Sequence, residues 1–121
     1  MPTPSLHYIE LVTPDPEAAR DVYAASQGWT FTGPTPELGG AYVTTLDDGT
    51  IWAIRAPMNS GEQPVVRPYL RVGDVEAAAS QAESCGGTVA LPPTEIAGRG
   101  RIAIVFVGSV QQGFWEPAAP A

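Results

Sequence analysis

The sequence has little cysteine, little positive charge and no long apolar run. Its single cysteine, Cys85, cannot form a disulfide within the chain, which fits a reducing cytoplasm. Six basic residues stand against thirteen acidic ones, and the net charge of −7 argues against nucleic acid or an anionic membrane as a partner. No segment approaches transmembrane length, and the first residues lack the basic and apolar regions of a signal peptide. We therefore expect a cytoplasmic protein whose partner is a small molecule.

The second half of the chain repeats the first. Asp15-Pro16-Glu17-Ala18-Ala19 recurs as Asp74-Val75-Glu76-Ala77-Ala78, and the same shift places Gly28 on Gly87. Because the repeated residues are of the kinds that begin helices, end helices and form turns, the duplicated element is a folding unit rather than a binding motif. Two copies of roughly 60 residues are each marginal alone, so we expect residues 1–121 to form one domain with a shared core.

Each copy has the pattern of a strand, a helix and three further strands. In the first copy, Asp15 and Pro16 suit the start of a helix and Gly28 its end. The strands predicted around this helix are 7–12, 29–32, 40–46 and 50–56. The second copy predicts a strand at 68–72, a helix from Asp74 to 83 or 84, and strands at 88–91, 101–107 and 110–115. The chain is thus predicted to be α+β, with βαβββ modules at about 6–57 and 67–117 and a linker at about 58–66.

Several motifs of the chain resemble those of a known superfamily. They are Glu10-Leu-Val-Thr-Pro-Asp15, Gly28-Trp29, Pro68-Tyr-Leu-Arg-Val-Gly-Asp74 and Gly98-Arg-Gly-Arg101. As a set they resemble the vicinal oxygen chelate superfamily, which includes glyoxalase I, bleomycin-resistance proteins and extradiol dioxygenases. The resemblance implies two tandem βαβββ modules whose mixed sheet curls around an open groove, and it implies a homodimer. The alternative fold, a ferredoxin-like dimeric barrel, has a shorter repeating unit than this chain.

The resemblance also implies a divalent metal, held by residues of the first and last strands of each module. In this sequence those positions fall on Tyr8 and Arg67, on the segment 51–55, and near Gly113. None of them supplies a histidine or a carboxylate. His7 and Glu116 are the fallback ligands, and each needs a shift in strand register. We therefore expect no cofactor, with a divalent metal as the alternative.

Alternation along the two central strands places polar and aromatic side chains on the expected groove face. We single out Glu10 as the candidate catalytic residue, acting as a general acid or base. The competing interpretation is an ion pair between Glu10 and Arg67 or Arg71, because an unpaired buried charge is costly. The candidate ligand-binding residues are Tyr8, Glu10, Tyr42, Arg67, Tyr69, Arg71 and Trp115.

Three functional hypotheses follow. The first is a metal-independent glyoxalase-like protein that binds a small, partly aromatic or polyketide-like molecule between its modules, either sequestering it or assisting a proton transfer. The second is a metal-dependent lyase, isomerase or dioxygenase. The third is a non-catalytic structural or regulatory domain. Whether the protein is an enzyme is left open by the sequence.

Overall fold

The computed structural model describes residues 5–119. The expectation of no signal peptide falls in part on residues 1–4, which lie outside that range. The first half of the described chain forms β1 Leu6–Val12, α1 Pro16–Gln27, β2 Thr32–Thr35, β3 Ala41–Thr45 and β4 Ile51–Arg55. The second half forms β5 Val65–Arg71, α2 Val75–Ser84, β6 Thr88–Ile96, β7 Gly100–Val107 and β8 Val110–Pro117. The predicted α+β architecture of two successive βαβββ modules is confirmed, and β5 begins inside the segment predicted as the linker.

The helices begin and end at the residues that the repeat indicated. The Asp15 carboxylate accepts a hydrogen bond from the Ala18 N–H at 3.1 Å. The Asp74 carboxylate accepts the equivalent hydrogen bond from the Ala77 N–H, also at 3.1 Å. Gly28 ends α1 with a left-handed φ of 72°, which glycine adopts without steric cost. Neither α1 nor α2, the helices of the described residues, is long and apolar enough to cross a membrane.

Contacts divide the chain into two compact units. The first unit is Ile9–Val66, in which β2, β3, β4 and the later part of β1 are neighbours in that order. The second unit consists, within the described chain, of residues 5–8 and 67–119. Its strands are neighbours in the order β1 (its start), β5, β8, β7 and β6. Strands β5 and β8 are parallel, whereas the pairs β2–β3, β3–β4, β6–β7 and β7–β8 are antiparallel. The sheet is therefore mixed, as predicted.

The two helices pack to different extents. In the second unit, Val75 and Ala79 of α2 are buried against Ala103 of β7. In the first unit, Val22 of α1 is 63% exposed. The half-buried residues of α1 fall at 19, 20, 23 and 24, which is the spacing of a single helix face, and Val22 lies off that face.

Two further strands, β2 and β6, differ from the prediction. β2 begins at Thr32 rather than at Trp29, whose ring lies parallel to that of Tyr23 at a centroid distance of 5.6 Å. β6 continues to Ile96 although Pro92 and Pro93 cannot donate hydrogen bonds to a neighbouring strand. It does so because β6 stands at the end of the strand order and shifts register twice along β7.

Candidate functional site

Three of the predicted ligand-binding residues meet in an aromatic cluster of the second unit. The rings of Tyr8 and Trp115 stack with centroids 4.6 Å apart. Tyr69 meets both edge-on, at 5.6 Å from Tyr8 and 5.4 Å from Trp115. All three side chains are buried, with 2–3% exposure. Rings at these distances and angles attract one another, so the three side chains form a tightly packed cluster in the interior of the second unit.

Gly113 makes this cluster possible. It lies opposite Tyr69 in the parallel pairing of β5 with β8. A Cβ atom at position 113 would overlap the Tyr69 ring. The resemblance placed a metal-binding glutamate near this position, and here the Tyr69 ring fills that space.

Arg71 lies at the end of β5 and contacts the only histidine of the sequence. Its guanidinium nitrogen Nη1 is 3.3 Å from Nδ1 of His7, and the His7 ring lies 5.3 Å from the Trp115 ring. Burial holds the pKa of His7 below its ordinary value, and the positive charges of Arg71 and Arg99 lower it further. His7 is thus favoured in its neutral form.

A cavity of about 480 Å³ lies beside these groups. It is lined by residues 71–73 and 116–119 of the second unit. Arg71 and Glu116 are the charged residues of its lining. The Glu116 carboxylate accepts a hydrogen bond from the Val75 N–H at 3.0 Å, so one of its oxygens caps α2. Arg71 is exposed and Glu116 is half-buried, so Arg71 is the charged residue of the lining with more surface to offer a ligand.

The remaining arginine predicted for the site is Arg67. It is buried in β5, and its Nε donates to Oε1 of Gln111 at 2.7 Å. This bond orients the guanidinium within the second unit.

The donor groups of the described chain do not fit the divalent site that the resemblance implies. No three His, Cys, Asp or Glu side chains among residues 5–119 are grouped so as to hold a metal ion. Of the fallback ligands, Glu116 caps a helix and His7 lies beside a guanidinium. The positive charges that disfavour a proton on His7 also disfavour a metal cation there.

The candidate catalytic residue Glu10 lies in the first unit, in a buried ionic network. The Nε of Arg55 donates to Glu10 Oε2 at 2.7 Å, while its Nη1 and Nη2 donate to the two oxygens of Glu62 at 2.8 and 2.7 Å. The side chains of Arg55, Glu10 and Glu62 are 5%, 10% and 18% exposed. Burial acts to lower the pKa of Arg55, and the hydrogen bonds and charges of the two glutamates outweigh it, so that pKa lies above its ordinary value.

Tyr42, the last predicted ligand-binding residue, contacts α1. Its hydroxyl donates to Oε2 of Glu17 at 2.8 Å, and the Arg20 guanidinium lies 4.7 Å from its ring centroid. The hydrogen bond to Glu17 raises the pKa of Tyr42.

The sequence interpretation missed Arg55 and Glu62. Arg55 could have been identified from the sequence, because it is the last residue of an apolar strand. Glu10 lies within another apolar strand of the same unit. Two opposite charges within apolar strands of one module indicate a buried pair. Glu62 had no such signal, since it stands in a polar segment without periodicity.

Comparison with known proteins identifies relatives at the sequence level, although no family model matches the chain. The chain is 31% identical over 104 residues to the Mycobacterium bovis protein named "Putative glyoxylase CFP32", covering 82% of this chain and 40% of that protein. It is 28% identical over 113 residues to the anthracycline biosynthesis protein DauV of Streptomyces sp. strain C5, covering 80% of this chain and 41% of that protein. The chain thus spans about two fifths of the length of the curated relatives it matches.

Solved structures share the fold at lower identity. A hypothetical protein, BH1468 of Bacillus halodurans, superposes with a TM-score of 0.76 at 14% identity over 96% of both chains. Methylmalonyl-CoA epimerase of Mycobacterium tuberculosis gives a TM-score of 0.75 at 16% identity, over 95% of this chain and 89% of that one. A Streptomyces coelicolor methylmalonyl-CoA epimerase in complex with 2-nitronate-propionyl-CoA gives 0.69 at 17% identity, over 98% of this chain and all of that one. These structures establish the fold, and the last shows a neighbour with a bound small molecule.

Replacing Gly113 with alanine tests the packing of the aromatic cluster. We expect Gly113→Ala to lower the free energy of unfolding by about 1–3 kcal/mol, because the added methyl group displaces the Tyr69 ring. Gly73→Ala is the matched control, since a Cβ there meets no atom within 4 Å and φ is not in the left-handed region. The control should change stability by less than about 0.5 kcal/mol in urea denaturation. Equal stability of the two variants would contradict the proposed packing.

Replacing Glu10 with glutamine tests the buried network. Glutamine keeps the shape of the side chain and removes the charge facing Arg55, so we expect Glu10→Gln to lower the free energy of unfolding by about 1–3 kcal/mol. The control is Asp21→Asn, which alters an ion pair whose carboxylate is 69% exposed and should cost less than about 0.5 kcal/mol. A loss no greater than that of the control would show that the network does not stabilise the fold.

Proposed function

The chain belongs to the vicinal oxygen chelate superfamily, and we propose that it binds a small organic acid, partly aromatic or polyketide-like, without a divalent metal. The proposed site is the cavity of the second unit. The observation that carries the proposal is the contact of Arg71 with His7 at the edge of that cavity.

The distribution of charge supports an anionic ligand. The chain has a net charge of −7 and six arginines. In the second unit, Arg71 lines the cavity, whereas Arg67 donates to Gln111 and Arg101 pairs with Glu76. The positive charges of Arg71 and Arg99 both act on His7. A local positive field in an acidic protein attracts an anion to one place on its surface.

Arg71, which lines the cavity, and His7, which contacts Arg71, suit a carboxylate or an enolate. A guanidinium offers a planar fork of N–H donors, which binds two oxygens of one carboxylate. Where Nδ1 of neutral His7 accepts from Arg71, its Nε2–H is left to donate to a ligand oxygen. The Trp115 ring lies tilted against the imidazole, with centroids 5.3 Å apart, and limits its orientation. These groups suit binding of such a ligand. An assisted proton transfer, including an acid–base role of Glu10, stays a prediction.

The relatives bear on the class of ligand. The curated relative named for anthracycline biosynthesis supports the proposal of a polyketide-like or aromatic ligand. The chain matches about two fifths of that protein, so its activity as a whole is not transferred. Homodimerisation and a cytoplasmic location stay predictions.

The metal-dependent alternative of the same superfamily meets two obstacles. The position expected for a carboxylate ligand is Gly113, and His7 lies beside Arg71.

Metal analysis by mass spectrometry, on protein purified without chelator, is expected to find less than one tenth of an equivalent of zinc, nickel, manganese or iron, on the order of adventitious binding. A stoichiometric metal would contradict the proposal and favour a lyase, isomerase or dioxygenase.

Benzoate is a suitable probe because it joins a carboxylate to an aromatic ring. We expect benzoate to shift the amide NMR signals of residues 71–73 and 116–119, and neutral benzamide to bind at least about tenfold more weakly. Arg71→Gln should weaken benzoate binding by about tenfold, because it removes a charge-assisted hydrogen bond. Arg20→Gln, in the first unit, is the matched control and should leave the affinity unchanged. Equal binding of benzamide, or unchanged affinity in Arg71→Gln, would overturn the proposal.

A further inference from the structure

We infer that the first unit carries a second, separate site, for an organic cation such as a quaternary ammonium or a protonated amine with apolar substituents. The site is a cavity of about 380 Å³ lined by Gln27, Trp29, Thr45, Leu46 and Asp47. These residues come from the end of α1, the segment that follows it, and the turn after β3. None of them takes part in the anion site proposed above.

Trp29 presents a fixed aromatic surface to this cavity. Its ring is nearly parallel to that of Tyr23, with an interplanar angle of 6° and centroids 5.6 Å apart. The Trp52 ring contacts it at 5.6 Å and the Phe31 ring at 6.4 Å. These neighbours hold the indole in one orientation, and it remains half-buried, with part of its surface free to line the cavity. Indole is the aromatic side chain that attracts cations most strongly.

Two further features make the cavity electronegative. Asp47 contributes a carboxylate, and no arginine belongs to the lining. Gln27 is the last residue of α1, whose final turn contains no basic side chain. The free carbonyl groups at a helix C-terminus carry about half a negative charge, which in α1 no basic residue of that turn offsets. A positively charged ligand is therefore favoured at this one place by the Asp47 carboxylate, by the C-terminus of α1 and by the Trp29 indole.

The chemistry of the lining selects an organic cation over a metal ion. A hard divalent cation requires about six oxygen ligands, whereas the side chains of this cavity offer one carboxylate, one hydroxyl and one amide oxygen beside an indole and a leucine. An ammonium group with methyl or ring substituents matches that mixture, because it combines a diffuse positive charge with apolar surface.

Choline and its neutral isostere 3,3-dimethyl-1-butanol form a matched pair of probes. We expect choline to shift the indole N–H NMR signal of Trp29 with a dissociation constant on the order of 1–10 mM, as suits so small a ligand. The neutral alcohol should bind at least about fivefold more weakly, because cation–π and charge attraction are lost. Asp47→Asn should weaken choline binding by about two- to fivefold.

The controls separate this site from general effects on the fold and from the anion site. Asp21→Asn removes another exposed carboxylate of the first unit and should leave choline binding unchanged. Trp29→Leu removes the aromatic surface but also a ring packed on Tyr23, so Asp47→Asn, which is exposed, is the decisive variant. The His7 signals should not move with choline. The inference is wrong if the neutral alcohol binds as well as choline, or if Asp47→Asn binds choline as the unaltered protein does.

Discussion

The close approach of the Tyr69 ring to the backbone of Gly113 is the constraint on which the second unit depends. It is possible only because residue 113 has no side chain, and it brings Tyr69 against Tyr8 and Trp115. The resemblance implies a metal ligand near this position, and residue 113 instead leaves room for the Tyr69 ring. What remains at the edge of this cluster is Arg71 with His7.

The two units differ in the surroundings of one arginine each, Arg55 in the first unit and Arg71 in the second. In the first unit, Glu10 and Glu62 are bonded to Arg55 in a site largely closed to solvent, so these charges satisfy one another. In the second unit, the exposed Arg71 lies beside a neutral His7 and a cavity. A charge that is satisfied internally stabilises structure, whereas one at a cavity is available to a ligand. The two units therefore differ in what these charged residues do.

The features of the fold that depend on neighbours in sequence were predictable. The helices are capped by hydrogen bonds that span three or four residues, made by Asp15, Gly28 and Asp74. These residue types are typical of helix ends, so the caps could be predicted from the sequence. The start of β2 was not predictable, because the position of Trp29 depends on rings from other elements. The same limit applies to the site. Tyr8 and Tyr69 were identified from strand alternation. Arg55, which bonds Glu10, comes from a strand distant in sequence whose register no local pattern specifies.

The central claim is that Arg71 and Arg99 create a positive potential at His7, beside the cavity of the second unit, where an anion can bind. His7 reports on that potential directly, and as the single histidine of the sequence it gives an unambiguous NMR titration. In the free protein its pKa should lie below the ordinary value of 6.5, because of burial and of Arg71 and Arg99. Saturating benzoate should raise that pKa, because a bound anion stabilises the imidazolium. A His7 pKa at or above 6.5 in the free protein, or one that does not move with benzoate, would contradict the claim.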